Sequence, residues 1–127
     1  MSLFEEVGGS QFFDRLVDRF YEGVATDDVL LPLYPEQSDL SGAKERLTLF
    51  LQQYWGGPTT YSDERGHPRL RQRHFPFVIG ERERDRWMVH MMAAVDELSP
   101  NETVHQQLTE YMTMASTAMI NSPGPTI

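Results

Sequence analysis

The sequence predicts an all-α protein, and three observations carry that prediction. Four stretches repeat apolar residues at helical spacing, around 10–25, 40–54, 81–98 and 100–121. Glycine, proline and small polar residues fall between those stretches rather than inside them. The one short β-like run, Phe77-Val78-Ile79, is too brief to carry a sheet.

Taken in order, residues 10–25 form a strong amphipathic helix. Phe12, Phe13, Leu16, Val17, Phe20, Tyr21 and Val24 share one face, and Ser10 stands where an N-cap is needed. Tyr21 lies on that buried stripe, so its hydroxyl must find a partner. Thr26-Asp27-Asp28 opens a short helical segment through Leu31 that Pro32 stops, and Tyr34 is fixed in extended backbone by Pro35. Ser38 or Asp39 caps a second helix over about 40–54, with Leu40, Ala43, Leu47, Phe50, Leu51 and Tyr54 on its apolar face. Trp55-Gly56-Gly57-Pro58 ends it.

Residues 56–72 show no sustained periodicity and read as a long structured loop, a length that in a small domain points to function or disorder. A third helix over 81–98 presents Trp87, Met91, Ala94, Val95 and Leu98. Ser99-Pro100-Asn101-Glu102 signals the start of the fourth, with Ser99 as cap and Pro100 in the first position. That helix runs to about Asn121 through Val104, Leu108, Tyr111, Met112, Ala115 and Met119. Residues 1–121 make one domain without internal repeats, and 122–127 a flexible C-terminal tail.

Composition narrows the function classes. With 127 residues, 39% hydrophobic and 24% charged, the chain is long enough for one core and too apolar for disorder. A net charge of -8 argues against nucleic acid or an anionic membrane as partner. No apolar run approaches the ~20 residues that span a bilayer. The N-terminus lacks the pattern of a secretory signal, so the cytoplasm is the expected location. The absence of cysteine removes disulfides, thiolate nucleophiles and Cys-type metal sites. Lys44 is the sole lysine among 11 basic residues, a bias that hints at a GC-rich bacterial genome. Arg65, Arg69, Arg71 and Arg73 crowd around His67 and His74, which fits either a local anion site or a solvated loop.

His74 is the candidate for chemistry, set in Arg71-Gln72-Arg73-His74-Phe75-Pro76-Phe77. Pro76 disfavours helical backbone at Phe75, so a helical turn carrying His74 must end there. Alone, such a histidine reads as a packed or solvated side chain. Catalytic zinc finds no HExxH and no histidine pair on one helix face. A Ser-His-Asp triad lacks its Gly-x-Ser-x-Gly elbow, and the glycine pairs are too isolated to cradle phosphate. Haem fits better, because a planar apolar cofactor needs facing apolar helices, one axial ligand and cations for its propionates.

Several motifs sharpen this. Val7-Gly8-Gly9, Arg19-Phe20-Tyr21, Leu33-Tyr34-Pro35, Tyr54-Trp55-Gly56-Gly57-Pro58, Arg65-Gly66-His67-Pro68-Arg69-Leu70, Arg73-His74-x-Pro76-Phe77 and Arg86-Trp87 follow one another along most of the chain. In these the sequence resembles the truncated haemoglobins, specifically group II. The resemblance implies a globin-like two-over-two helical sandwich enclosing haem b. It makes His74 the proximal ligand of the iron, with Nε2 on the metal and Nδ1–H held by a backbone carbonyl, that of Leu70 by position.

Tyr21, Tyr34 and Trp87 match the distal residues that meet a bound diatomic ligand, each offering a hydrogen-bond donor. Ala43 and Leu47 occupy the helix face overlooking that side, so no distal histidine stands there, and Ala43 leaves room for ligand entry. Arg46, Arg73 and Tyr61 are candidates for the propionates, with surface positions as the alternative. Phe50, Leu47, Phe77 and Met91 are expected to line the haem. His67, His90 and His105 read as ordinary polar side chains.

The implied function is reversible binding of dioxygen, carbon monoxide, nitric oxide or similar ligands at five-coordinate iron, for oxygen transport or storage. Peroxidase-like or nitric oxide dioxygenase activity, the latter needing a reductase partner, and haem-based sensing stay open as alternatives. So does a plain helical interaction module, and the oligomeric state is undetermined between monomer and homo-oligomer.

Overall fold

A computed structural model describes residues 1–122 and consists of helices and their connections, with no strand among the described residues. The helices are α1 (Leu3–Glu6), α2 (Ser10–Val24), α3 (Ser41–Tyr54), α4 (Thr60–Arg65), α5 (Leu70–His74), α6 (Glu81–Leu98) and α7 (Glu102–Ala118), with one 3₁₀ turn at Leu31–Leu33. The expected tail lies outside the described residues from position 123 onward. No helix among the described residues is long and apolar enough to cross a membrane.

Four long helices form two pairs. α3 lies against α2, α7 lies against α6, and α2 packs along α6 to join the pairs two over two. The apolar stripe of α2 explains this joining role. Phe13, Leu16, Val17, Phe20 and Val24 are wholly buried, and they meet Met91, Ala94 and Val95 of α6 in one core. Truncating a buried aromatic such as Phe20 to alanine would cost about 3–5 kcal/mol, a large share of a small domain's stability.

Close approach of α2 and α6 also requires Gly23, where a Cβ would fall onto the ring of His90. After α3 the chain reverses through Gly56, which takes φ +99°, a value that favours glycine. Gly57 sits against the Phe4 ring and the Gln52 carbonyl, where a Cβ would approach both to under 3 Å.

Several boundaries differ from the sequence reading, each for a local reason. Ser10 is the first helical residue of α2, with Gly9 at the cap position at φ 86°. The cap of α7 is Asn101, whose side chain accepts from the Val104 amide at 2.9 Å; Ser99 instead closes α6 by donating its hydroxyl to the Val95 carbonyl. Asp39 does support α3, accepting from the Ser41 amide at 3.0 Å, although Leu40 stands between them as the cap residue.

The helical segment expected at 26–31 is a turn, because the Asp27 carboxylate takes the amides of Val29 and Leu30. Pro32 lies within the 3₁₀ turn, near its start, where a missing N–H does no harm. Phe75 keeps helical dihedrals (φ -55°, ψ -35°) despite Pro76, yet α5 still stops at His74. The 56–72 stretch holds α4 and most of α5, and the N-terminus holds α1, started by Ser2 accepting from the Glu5 amide.

The last helix ends at Ala118, short of Asn121. Met119 and Ile120 still bond back to α7, and Asn121 and Ser122 then leave the helical path and hydrogen-bond to Ile79.

Candidate functional site

His74 is the last residue of α5, a five-residue helix in the connection between the two helix pairs. An i, i+4 relation on this turn brings its ring back over the preceding carbonyl. Nδ1 lies 2.6 Å from the Leu70 oxygen, so Nδ1–H donates there. That bond fixes the tautomer and leaves the Nε2 lone pair free. Nε2 has no partner among the described residues, and the ring is half-buried, with Phe77 edge-on at 6.5 Å between centroids.

Two arginines flank the histidine and both serve the backbone. Arg73 donates from Nε to the Pro68 carbonyl at 2.6 Å and from Nη2 to those of Arg65 and His67, with its guanidinium 5.8 Å from the centre of the Tyr61 ring. The side chain expected to hold a propionate is therefore a clamp on the 65–68 turn first, and only Nη1 is left without an acceptor. The clamp suits that turn, where Arg69 holds a left-handed φ of 41°. Tyr61 is buried, edge-on to Phe50 at 5.7 Å, and its hydroxyl has no protein partner among the described residues.

A second group gathers where α2 packs on α6. Tyr21 near the end of α2 and Tyr34 after the 3₁₀ turn meet edge to face, 5.7 Å apart, and Phe20 lies between Tyr21 (4.9 Å) and Trp87 of α6 (5.2 Å). Burial first, then the neighbouring Tyr34 hydroxyl, pushes the Tyr21 phenol far above its usual range. Tyr34 is raised by burial, opposed by its hydrogen bond with Tyr21 and by the charge of Arg46. Both phenols therefore stay protonated at neutral pH and act as donors rather than bases. The Trp87 indole N–H has no acceptor among the described residues. Beside these, Tyr34, Leu40, Ala43 and Arg46 line an open cleft of about 80 Å³.

Of the remaining expected residues, Leu47 is half-buried against the core, Phe50 is buried at its edge, and Met91 is wholly buried within it. Sequence reasoning missed Asp27. Its carboxylate, 1% exposed, accepts from Nε of Arg86 at 3.1 Å and Nε2–H of His90 at 2.6 Å as well as from the two turn amides. It ties the turn leading to Tyr34 onto the helix that carries Trp87. It also missed Asn121, whose amide reaches the His74 carbonyl.

The donor set passes a chemical test for haem. One imidazole presents a fixed, unpartnered Nε2, while the Trp87 indole keeps a free donor beside Phe20, Tyr21 and Tyr34 in an aromatic enclosure. An all-helical domain with that equipment is a haem-pocket protein of the globin class. A family model described as bacterial-like globin matches residues 2–121. A group 2 truncated hemoglobin of Bacillus subtilis is 37% identical over 116 residues, covering 91% of this chain and 86% of its own.

Among solved structures, a thermostable hemoglobin from the actinobacterium Thermobifida fusca is 61% identical with a TM-score of 0.93, over 97% of this chain and 99% of that one. The group II truncated hemoglobin of Bacillus anthracis is 35% identical with a TM-score of 0.91, over 98% and 99%. The chain belongs to the bacterial-like globin family, among its group II truncated haemoglobins.

Proposed function

We propose that this globin holds haem b through His74 and binds dioxygen or a similar diatomic ligand reversibly beside Tyr21, Tyr34 and Trp87. The observation that carries the reading is the 2.6 Å bond from His74 Nδ1–H to the Leu70 carbonyl, which leaves one nitrogen, Nε2, able to coordinate. Haem, when bound, would supply the iron to which a diatomic ligand binds. The chain supplies everything else. Trp87 and Tyr34 would donate toward partial negative charge on the ligand, and Tyr21 supports Tyr34 by packing against it edge to face. Ala43, a small side chain lining the cleft beside Tyr34, leaves room for small molecules to enter. Arg46 and the Tyr61 hydroxyl are the groups best placed in charge and availability to meet propionates, with Arg73 Nη1 in support.

A peroxidase-like role ranks below reversible binding. Proton transfer to a bound peroxide wants a distal group titrating near neutrality. Here the facing side chains are Ala43 and Leu47, and the phenols are pushed away from that range. Nitric oxide dioxygenation would add a reductase as partner and draws on the same donors.

The test is His74→Gly with and without imidazole. The variant should lose most of its haem, and added imidazole should restore the spectrum of the parent protein. Unchanged haem retention without imidazole would assign the axial ligand elsewhere.

A further inference from the structure

The proximal helix α5 has no means of standing by itself. It is one turn long, has no side-chain N-cap bond and buries none of its own residues. A helix this short is unstable without tertiary partners. Its N-terminal side is held by the Arg73 clamp. Its other side is held by the end of α7 and the residues after it, forty-seven positions later in the sequence.

Six hydrogen bonds tie α5 and the Ile79 stretch after it to the end of α7. Arg71, the second residue of α5, donates through Nε to the Ala118 carbonyl at the end of α7 at 3.1 Å and through Nη2 to that of Ile120, just past the helix, at 3.4 Å. Asn121 Nδ2 donates to the His74 carbonyl at 3.0 Å. Its Oδ1 accepts from the Ile79 amide at 2.9 Å. The backbone amides of Asn121 and Ser122 both reach the Ile79 carbonyl, at 2.9 and 3.0 Å. One side-chain amide thus spans residues 74 and 79 across Pro76, which has no N–H of its own to give.

We propose that Asn121 and Arg71 are positioning residues for His74. Residues 118–122 form a strap that fixes the height and tilt of the proximal imidazole. The His74 carbonyl accepts from both the Phe77 amide and Asn121, so His74 is gripped at its main chain while Leu70 grips its ring. Movement of the strap would therefore be felt at Nε2 with little slack between. This rests on the assignment of His74 as iron ligand.

Two substitutions separate positioning from general stability. Asn121→Asp keeps the acceptor for Ile79 and removes the donor to His74, placing a charge beside its carbonyl. Asn121→Ala removes both. Two readouts apply: the iron–histidine stretching band in the resonance Raman spectrum of the ferrous protein, and the rate of haem transfer to an excess of apomyoglobin.

The proposal expects both variants to shift or broaden the band and to lose haem about tenfold faster, the loss of one or two net hydrogen bonds. Arg71→Met, which leaves Asn121 in place, should act in the same direction more weakly and serves if the Asn121 variants fold poorly. Lowered melting temperatures with an unmoved band and haem loss within twofold of the parent would overturn it. A parent protein that takes up no haem would instead defeat the functional reading. The strap would then be judged on amide exchange at Phe77 and Ile79, where Asn121→Ala must raise exchange for the strap to stand.

Discussion

Replacing Asp27 tests how the distal corner is held. The carboxylate is almost fully enclosed and takes four donors: the amides of Val29 and Leu30, the Arg86 guanidinium and His90 Nε2–H. Asp27→Ala leaves both amides without an acceptor, one of them buried, at about 1–3 kcal/mol each. Arg86 is nearly half exposed and regains water, so its loss adds little. The sum is about 3–4 kcal/mol, in line with breaking a buried ion pair. That corresponds to a fall of about 12–16 °C in the melting temperature of a chain of this length. Asp27→Asn keeps an acceptor for the amides and should cost about half as much.

The pH dependence has a definite sign. Burial alone would raise the Asp27 carboxyl, but the bonds from Arg86, His90, Val29 and Leu30 outweigh it and hold it far below the usual range. A carboxyl depressed in the folded state adds stability above its unfolded value of about 3.9, and that stability fades as pH falls below it. The gap between parent and Asp27→Asn should therefore be constant from pH 7 to about 5. It should then narrow by about 1.4 kcal/mol per unit below pH 4. Urea midpoints followed by far-ultraviolet circular dichroism measure both effects. A melting temperature for Asp27→Ala within 2 °C of the parent, taken as roughly 0.5 kcal/mol, would refute the reasoning, as would a gap independent of pH down to 3.

Trp87→Phe keeps the packing against Phe20 and removes the N–H. A hydrogen bond to a charged partner is worth ~1.5–3 kcal/mol, so the dioxygen dissociation rate should rise roughly ten- to a hundredfold in stopped-flow displacement by carbon monoxide. An unchanged rate would remove the indole from the list of donors. Ala43→Trp should fill the cleft beside Tyr34 and slow carbon monoxide recombination after flash photolysis, leaving the haem spectrum in place. Unaltered recombination would mean ligands enter by another path.

The sequence is most legible where partners are near in the chain. The apolar stripe of α2 and the extent of α6 follow from spacing alone, because packing faces repeat every 3.6 residues. The bond from His74 to the Leu70 carbonyl is an expectation that came with the family resemblance, and the i, i+4 relation on one short helix provides it. Short helices were harder. α4 and α5 have too few residues for a period to show, and their supports come from elsewhere, as when Gln53 of α3 bonds Ser62 through both ends of its amide.

The missed site residues lie at still longer range. Asp27 finds Arg86 and His90 about sixty positions away, and Asn121 finds His74 from forty-seven away. Only the three-dimensional path of α6 and α7 joins them. In sequence, Asp27 looked like a helix start and Asn121 like the last turn of a helix. Arg73 shows the converse: its charge suggested a propionate, and its geometry gives most of the guanidinium to carbonyls.

The absorption spectrum of the purified protein, oxidised, reduced, and reduced under carbon monoxide, bears most directly on the claim that His74 holds a haem with an open distal position. The account predicts a Soret band in all three states. The reduced form should be five-coordinate and high-spin, with a sharp shift on adding carbon monoxide. A folded helical protein with no Soret band after haem supply would contradict haem binding. A six-coordinate low-spin ferrous spectrum without added ligand would contradict the open position.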